Sequence, residues 1–133
     1  PYPDHLRNNI IEKNRILLRG SMPAFENQIL KAVERGDLVS VNHRVTEFVA
    51  SYFDIIFALN EMTHPGEKRL VELCKANCRY LPIDFEKNLN LLFQDMYTHP
   101  EYIARDLDRM ILRLDKVIER VEKKHAKEKK ASN

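Results

Sequence analysis

Residues 38–62 read LVSVNHRVTEFVASYFDIIFALNEM, and this stretch decides the fold class of the chain. Its apolar residues recur at alternating steps of four and three, which is the spacing of one face of an α-helix. They are Val41, Val45, Phe48, Tyr52, Ile55, Leu59 and Met62. A second apolar set widens this face: Val49, Phe53, Ile56 and Phe57. A helix that is apolar around most of its circumference has to be covered on several sides. At 1.5 Å per residue it would span about 37 Å, so we predict the central helix of an all-α protein.

The rest of the chain carries signals for further helices. Asp4 and Gly20 are placed to begin and end a first helix, and Ser21 with Pro23 to begin a second. The second helix stops at Gly36, and Asp37 is placed to cap the central helix. Short connections of this kind predict an antiparallel helical bundle, with a four-helix-bundle-like core and extra short helices.

The second half of the chain continues the same pattern. A helix is predicted from near Pro65 to Asn77, and Asp84 would cap the next one. Thr98 and Glu101 read as a capping box around Pro100. A last long helix follows, with its apolar residues again at steps of four and three. They are Ile103, Leu107, Met110, Leu114, Val117 and Val121.

Length and composition indicate one globular domain. The chain has 133 residues, of which 44% are hydrophobic and 32% charged, and no apolar run is long enough to span a membrane. No export signal is recognisable, and Cys74 and Cys78 lack metal-site spacing, so we expect reduced thiols and a cytoplasmic location. Because the sequence starts at Pro1 without an initiator methionine, we interpret it as part of a longer protein.

The segment after the central helix is the first candidate site. Lys68 and Arg69 would lie in the first turn of a helix beginning near Pro65, where cations oppose the helix dipole. A helix N-terminus with two cations suits a phosphate or carboxylate, and Asn60 and His64 lie close enough to add hydrogen bonds. Glu67 belongs to the same group and partly offsets its charge. The alternative is an ordinary solvated surface.

A second polar cluster surrounds the start of the central helix. Arg35, Asp37 and His43 are secondary candidates for substrate binding, with helix caps and exposed first-turn residues as the alternative. Because the central helix is about 37 Å long, this cluster and the one around His64 cannot both contact one small ligand unless the chain bends.

No complete catalytic or metal site is recognisable. Gly20-Ser21 followed by Asp37 would suit a nucleotidyltransferase signature, but residue 39 is Val, so the second carboxylate for a two-metal site is missing. Arg120-x4-His125 matches the loose pattern of helical ribonucleases.

Residues 116–133 read as a basic helix end and tail, separate from a helical domain over residues 1–115. No aromatic residue interleaves with its charges, so we expect solvated surface rather than contact with nucleic acid or a membrane.

Four groups of residues together resemble a known family. They are Arg35-Gly36-Asp37, Asn42-His43, Phe57-Ala58-Leu59-Asn60 and Pro65-Gly66-Glu67-Lys68-Arg69. With the opening Tyr2-Pro3-x-x-Leu6, they resemble the uncharacterised helical domain that follows the nucleotidyltransferase domain in a family of bacterial proteins. These proteins are similar to aminoglycoside nucleotidyltransferases.

The resemblance implies a non-catalytic domain that helps to bind an acceptor substrate or nucleotide phosphates. It implies an N-terminal nucleotidyltransferase domain of the same protein as partner, which would hold Mg²⁺ and use an NTP, with no cofactor in the present segment. Asn60, His64, Lys68 and Arg69 would then line the cleft. Two alternatives stay open: a structural module for dimerisation or interaction, and a helical ribonuclease.

Overall fold

The computed structural model describes residues 2–20, 24–66 and 68–132. Its described part consists of α-helices, one short 3₁₀ turn and connecting loops, and contains no β-strand. The helices are α1 (Asp4–Leu18), α2 (Phe25–Glu34), α3 (Leu38–Leu59), α4 (Leu70–Asn77), α5 (Phe85–Thr98) and α6 (Ile103–Ser132). The 3₁₀ turn, Pro100–Tyr102, leads into α6. The predicted all-α class is confirmed, and the helices pack as a bundle.

Helix α3 is the central element, as its apolar pattern predicts. It packs against α1 and α2, while α6 packs against α5 and α2. Residues that line the first predicted face are fully buried: Val41, Val45, Phe48, Tyr52, Ile55 and Leu59. Most of the second set is also buried, and this explains why α3 is apolar on more than one side. The helix ends at Leu59, three residues earlier than predicted, and Met62 is half-buried beyond it.

Helix α6 buries all six residues that its spacing predicts, from Ile103 to Val121. Its first part packs against α5, and its last turns extend to Ser132 with mostly exposed side chains. The proposed boundary between residues 115 and 116 falls inside this continuous helix, and Val117, Ile118 and Val121 beyond it are buried.

Several predicted helix ends are wrong in detail. Helix α4 begins at Leu70 rather than near Pro65, because residues 62–66 form an irregular loop and Arg69 adopts a left-handed conformation with φ of 55°. Asp37 does cap α3, since its side chain accepts a hydrogen bond from the Ser40 N–H at 3.2 Å. Asp84 precedes α5 but makes no side-chain cap.

The predicted capping boundaries around the first and last helices also differ from the structure. Asp4 lies inside α1 and pairs with Arg7, at 3.3 Å. Thr98 is the last residue of α5, where its hydroxyl donates to the Gln94 carbonyl, so the predicted capping box does not form. The proposed helix start at Ser21 and Pro23 lies outside the described residues.

Candidate functional site

The strongest candidate site is a hollow between α1, α3 and the loop that follows α3, with a volume of about 400 Å³. We call it the His64 hollow. Its wall is mostly apolar, with Leu6 and Ile10 from α1, and Phe57 and Ala58 from α3. The polar side chains that line it are those of Tyr2, Lys13, Asn14, Asp54, Thr63 and His64. A concave, mainly apolar surface with a few polar groups is the usual form of a small-molecule site.

His64 is held in this hollow by contacts with its own loop and with α3. Its Nδ1 accepts a hydrogen bond from the Gly66 N–H at 3.1 Å, which assigns the ring proton to Nε2 in the neutral form. The ring also contacts Phe57 edge-on, with 5.1 Å between centroids. Nε2 lies 3.9 Å from Asp54 Oδ1, too far for a direct hydrogen bond but close enough for one ligand atom to contact both groups.

Asp54 and Asn14 contribute polar groups from the two packed helices. Asp54 interrupts the apolar sequence of α3, and its side chain is about half exposed (45%). Asn14 is buried in α1, and its Nδ2 donates to the Ile10 carbonyl at 2.8 Å. Lys13 lines the same hollow with a cation. The hollow is therefore lined by a carboxylate, an imidazole and a lysine side chain, next to apolar side chains of α1 and α3.

Sequence reasoning missed Lys13, Asn14 and Asp54. The available signal was Asp54, a charged residue between Phe53 and Ile55 in an otherwise apolar helix. Lys13 and Asn14 carry no such signal, because only the packing of α1 on α3 brings them next to His64.

Asn60 has a structural role at the end of α3. Its Nδ2 donates to the carbonyls of Ile56 (2.8 Å) and Tyr80 (2.9 Å), and its Oδ1 accepts from the Tyr80 N–H (2.8 Å). Both amide hydrogens are therefore used within the protein. Asn60 does not line the His64 hollow.

Lys68 and Arg69 are exposed in the turn before α4, and neither lines the hollow. Because α4 begins at Leu70, these cations do not lie inside a first helical turn, so the geometry on which the predicted anion site depended is wrong. Glu67 lies outside the described residues. Of the four primary candidates, the structure places only His64 in a cavity with other polar side chains.

The second predicted cluster is distant from the hollow, at the N-terminal end of α3. Asp37 accepts from the Ser40 hydroxyl at 2.6 Å and pairs with Arg35 at 3.2 Å. The hydrogen bonds from Ser40, followed by the charge of Arg35, hold the pKa of Asp37 below its ordinary value. His43 is exposed and lies 3.3 Å from Glu47. These contacts suit a helix cap with surface ion pairs.

A larger groove of about 760 Å³ lies nearby, between the N-terminal part of α1 and the end of α6. Its most buried polar residue is Arg7, whose Nη1 binds Glu61 at 2.7 Å. Since that guanidinium is already paired, the groove offers a weaker ligand site than the His64 hollow. His125 lines this groove, whereas Arg120 lines a different cavity, so the two residues of the ribonuclease pattern do not converge.

The two cysteines are unsuited to nucleophilic chemistry. Cys74 is buried and Cys78 half-buried, and both are free thiols. Burial raises the pKa of the Cys74 thiol to about 12, which makes it a poor nucleophile.

Among the described residues, no group of three or more metal-ligating side chains comes together. None of the described helices has the length and apolar character needed to cross a membrane.

Comparison with known proteins does not assign the chain to a family. No family model, no curated protein and no solved structure matches it.

Proposed function

We propose that this chain is a non-catalytic helical domain that binds a small polar ligand in the His64 hollow. The observation that carries the proposal is the presence of Lys13, Asp54 and His64 around one apolar-floored cavity. Its volume of about 400 Å³ lies in the range of cavities that hold small organic ligands. Asp54 would bind an amine or hydroxyl of the ligand, and Lys13 an anionic group.

The wider setting of the proposal comes from the family resemblance. A nucleotidyltransferase domain in the same bacterial protein would bind Mg²⁺ and NTP, and the helical domain would hold the acceptor substrate. The lack of a recognisable catalytic set among the described residues is compatible with this division of labour. The two free thiols suit a cytoplasmic location, where disulfides are rare.

The test is a titration of the isotopically labelled chain, followed by ¹H–¹⁵N NMR. Two probes are used separately: an aminoglycoside, which is rich in amines and hydroxyls, and ATP, which supplies phosphates. We expect saturable shifts of the amides of Asp54, His64 and Lys13 with one of the probes. Shifts spread over the surface, or none with either probe, would contradict the proposal.

A matched pair of variants sharpens this test. His64→Ala and Asp54→Asn remove polar groups from the hollow, and each is expected to weaken binding about tenfold or more. His43→Ala removes an exposed histidine from the other end of α3 and is the control. Equal losses in His43→Ala and His64→Ala would show that the binding is not located in the hollow.

A second candidate function, assembly with another copy of the chain, is favoured by an exposed apolar patch. Leu38, Val39 and Tyr97 are 62%, 82% and 72% exposed, and with Asn42 and Met96 they line a shallow cavity between α3 and α5. Exposed apolar residues that cluster in this way often mark an interface. Sedimentation of the wild type against Val39→Asp tests it, since a dimer that uses this patch would dissociate in the variant.

A further inference from the structure

Many of the charged residues of the longest helix fall on two lines along its surface. On α6, Arg113, Lys116, Arg120, Lys123, Lys127 and Lys130 recur at steps of three and four, which places them along one side of the helix. We call this line the basic stripe. It covers 17 residues of rise, which is about 26 Å at 1.5 Å per residue.

Four of the six acidic residues of α6 lie along a different side; of the other two, Asp106 is buried and Glu128 lies beside Lys124 and His125, at 3.8 and 3.6 Å. Asp108, Asp115, Glu119 and Glu122 recur at steps of seven, four and three. Asp115 pairs with Arg15 of α1 at 3.3 Å, and Asp108 pairs with Arg19, the residue that follows α1, at 2.8 Å. Asp108 and Asp115 are therefore directed toward α1 and partly neutralised there, whereas Glu119 and Glu122 are exposed and form no ion pair among the described residues. No carboxylate falls on the line of the basic stripe itself.

Most of the basic stripe is free of internal partners. Lys116, Lys123 and Lys127 are exposed, and among the described residues no carboxylate pairs with them. Arg113 and Arg120 are the exceptions: Arg113 lies 3.5 Å from Asp84 and bonds the side chain of Asn88, and Arg120 contacts the Tyr80 ring. Unpaired cations that are held about one helical turn apart repel each other and attract a polyanion.

The fold adds further cations that the sequence pattern does not show. Arg79 and Tyr80 come from the loop after α4, and the Tyr80 ring is contacted by Arg79, Arg120 and Lys124 at 5.3–5.4 Å. Tyr80 thus packs between basic side chains of two segments, although no aromatic residue lies between them in sequence. Because cation–π contacts hold these side chains in place, they widen the basic stripe toward the loop.

We infer that the basic stripe binds the phosphate backbone of a double-stranded nucleic acid. A regular line of cations on a straight helix matches a regular line of phosphates, and arginine and lysine are the residues that make such contacts. The contact would be independent of base sequence, because only charged side chains form the stripe.

Other polyanions fit less well. An interfacial membrane helix needs an apolar face for insertion, but the apolar face of α6 is buried in the bundle, with Leu114, Val117 and Val121 nearly inaccessible. Single-stranded nucleic acid is usually held by stacking of bases on exposed aromatic rings. The ring of Tyr80 is already contacted by cations.

The test measures fluorescence anisotropy of a labelled DNA duplex of about 24 base pairs, longer than the 7 or 8 base pairs that would match about 26 Å. An RNA duplex, a single strand, poly-glutamate and phosphatidylserine vesicles are measured in parallel. In about 50 mM salt we expect saturable binding to the duplexes that weakens steeply as salt is raised. No duplex binding at this salt, or tighter binding to the single strand, the peptide or the vesicles, would overturn the inference.

Two triple variants of equal net charge locate the contact. Lys116→Glu, Lys123→Glu and Lys127→Glu reverse three exposed lysines of the basic stripe, whereas Lys31→Glu, Lys68→Glu and Lys87→Glu reverse exposed lysines on other parts of the fold. Both change the formal net charge from +2 to −4. Stripe reversal should weaken duplex binding about tenfold or more, and lower the salt slope by about 0.9 for each phosphate that is no longer neutralised.

The control triple should retain most of the binding of the wild type. Equal weakening in both triples would show that net charge alone governs the interaction and would overturn the assignment to the stripe. Far-UV circular dichroism is measured on both variants. If the stripe triple loses helix, the corresponding Lys→Gln triple is used, with a smaller loss of binding expected in the same direction.

Discussion

The side-chain amide of Asn60 binds both backbone groups of Tyr80, accepting from its N–H at 2.8 Å and donating to its carbonyl at 2.9 Å. Asn60 closes the C-terminal end of α3, and Tyr80 lies 20 residues further along, in the loop before α5. This pair therefore fixes the position of the loop relative to the central helix. It also positions the ring of Tyr80 against Arg120 and Lys124 of α6.

We expect Asn60→Ala to lower the free energy of unfolding by about 2–3 kcal/mol, because it removes three hydrogen bonds of about 1 kcal/mol each. Asn77→Ala is the matched control, since the Asn77 side chain is exposed and, within the described part of the chain, donates only to the Leu73 carbonyl. Its expected effect is within about 0.5 kcal/mol. Urea denaturation measures both, and equal effects would contradict the structural role of Asn60.

The carboxyl groups of Asp95 and Asp106 meet between α5 and α6. Asp106 is 1% exposed, and apart from Arg109, whose Nη1 lies 3.5 Å away, no donor of the described chain approaches its oxygens. Burial, followed by the neighbouring carboxyl of Asp95, raises the pKa of Asp106 to about 7. A protonated Asp106 can donate a hydrogen bond to the Asp95 carboxyl.

This raised pKa predicts how stability changes with pH. Between about pH 4 and pH 7 the unfolded chain has lost the Asp106 proton while the folded chain keeps it, so stability falls as pH rises through this range. Asp106→Asn removes this dependence. The free energy of unfolding of the variant, relative to that of the wild type, should therefore be about 1–3 kcal/mol higher at pH 8 than at pH 4. Thermal unfolding at both pH values is the measurement. Glu119→Gln, at an exposed position of α6 that has no ion pair among the described residues, is the control. A difference between Asp106→Asn and wild type that is the same at both pH values would contradict the prediction.

Tyr52 is fully buried, and its hydroxyl has no hydrogen-bond partner among the described residues. An unsatisfied buried hydroxyl costs free energy, so Tyr52→Phe should raise the free energy of unfolding by about 1 kcal/mol. Tyr97→Phe is the control, because Tyr97 is exposed and its hydroxyl accepts from Asn42. Destabilisation of Tyr52→Phe in urea denaturation would reveal an unrecognised partner for the hydroxyl.

Arg7 is the most buried cation among the ion pairs, with 6% of its side chain exposed and its Nη1 2.7 Å from Glu61. Arg7→Ala should cost about 2–3 kcal/mol, because it removes packing as well as the ion pair. Arg44→Ala breaks the partly exposed pair with Glu47 and should cost about 0.5 kcal/mol or less. Urea denaturation at low and high salt measures the free energy of unfolding of each variant. A similar small loss of stability in Arg7→Ala and Arg44→Ala would contradict the buried role of Arg7.

Much of the fold could be predicted from the sequence because helical periodicity is a local property. The steps of four and three in α3 and α6 identify the faces that are buried, and Asp37 caps α3 as expected. The start of α4 could not be predicted from Pro65, since proline is also common in loops. The outcome depends on how residues 62–66 cross the end of the bundle, which local preference does not determine.

What the sequence by itself determined is therefore the helical class, the two long helices and the position of His64 beside the end of α3. Only the tertiary structure decided which polar groups surround His64, because Lys13 and Asp54 lie on different helices that meet through packing of their apolar faces. It also brought Tyr80 next to Arg120. The physical reason is that side-chain spacing along one helix is set by its own geometry, whereas contacts between helices depend on how their buried surfaces fit together.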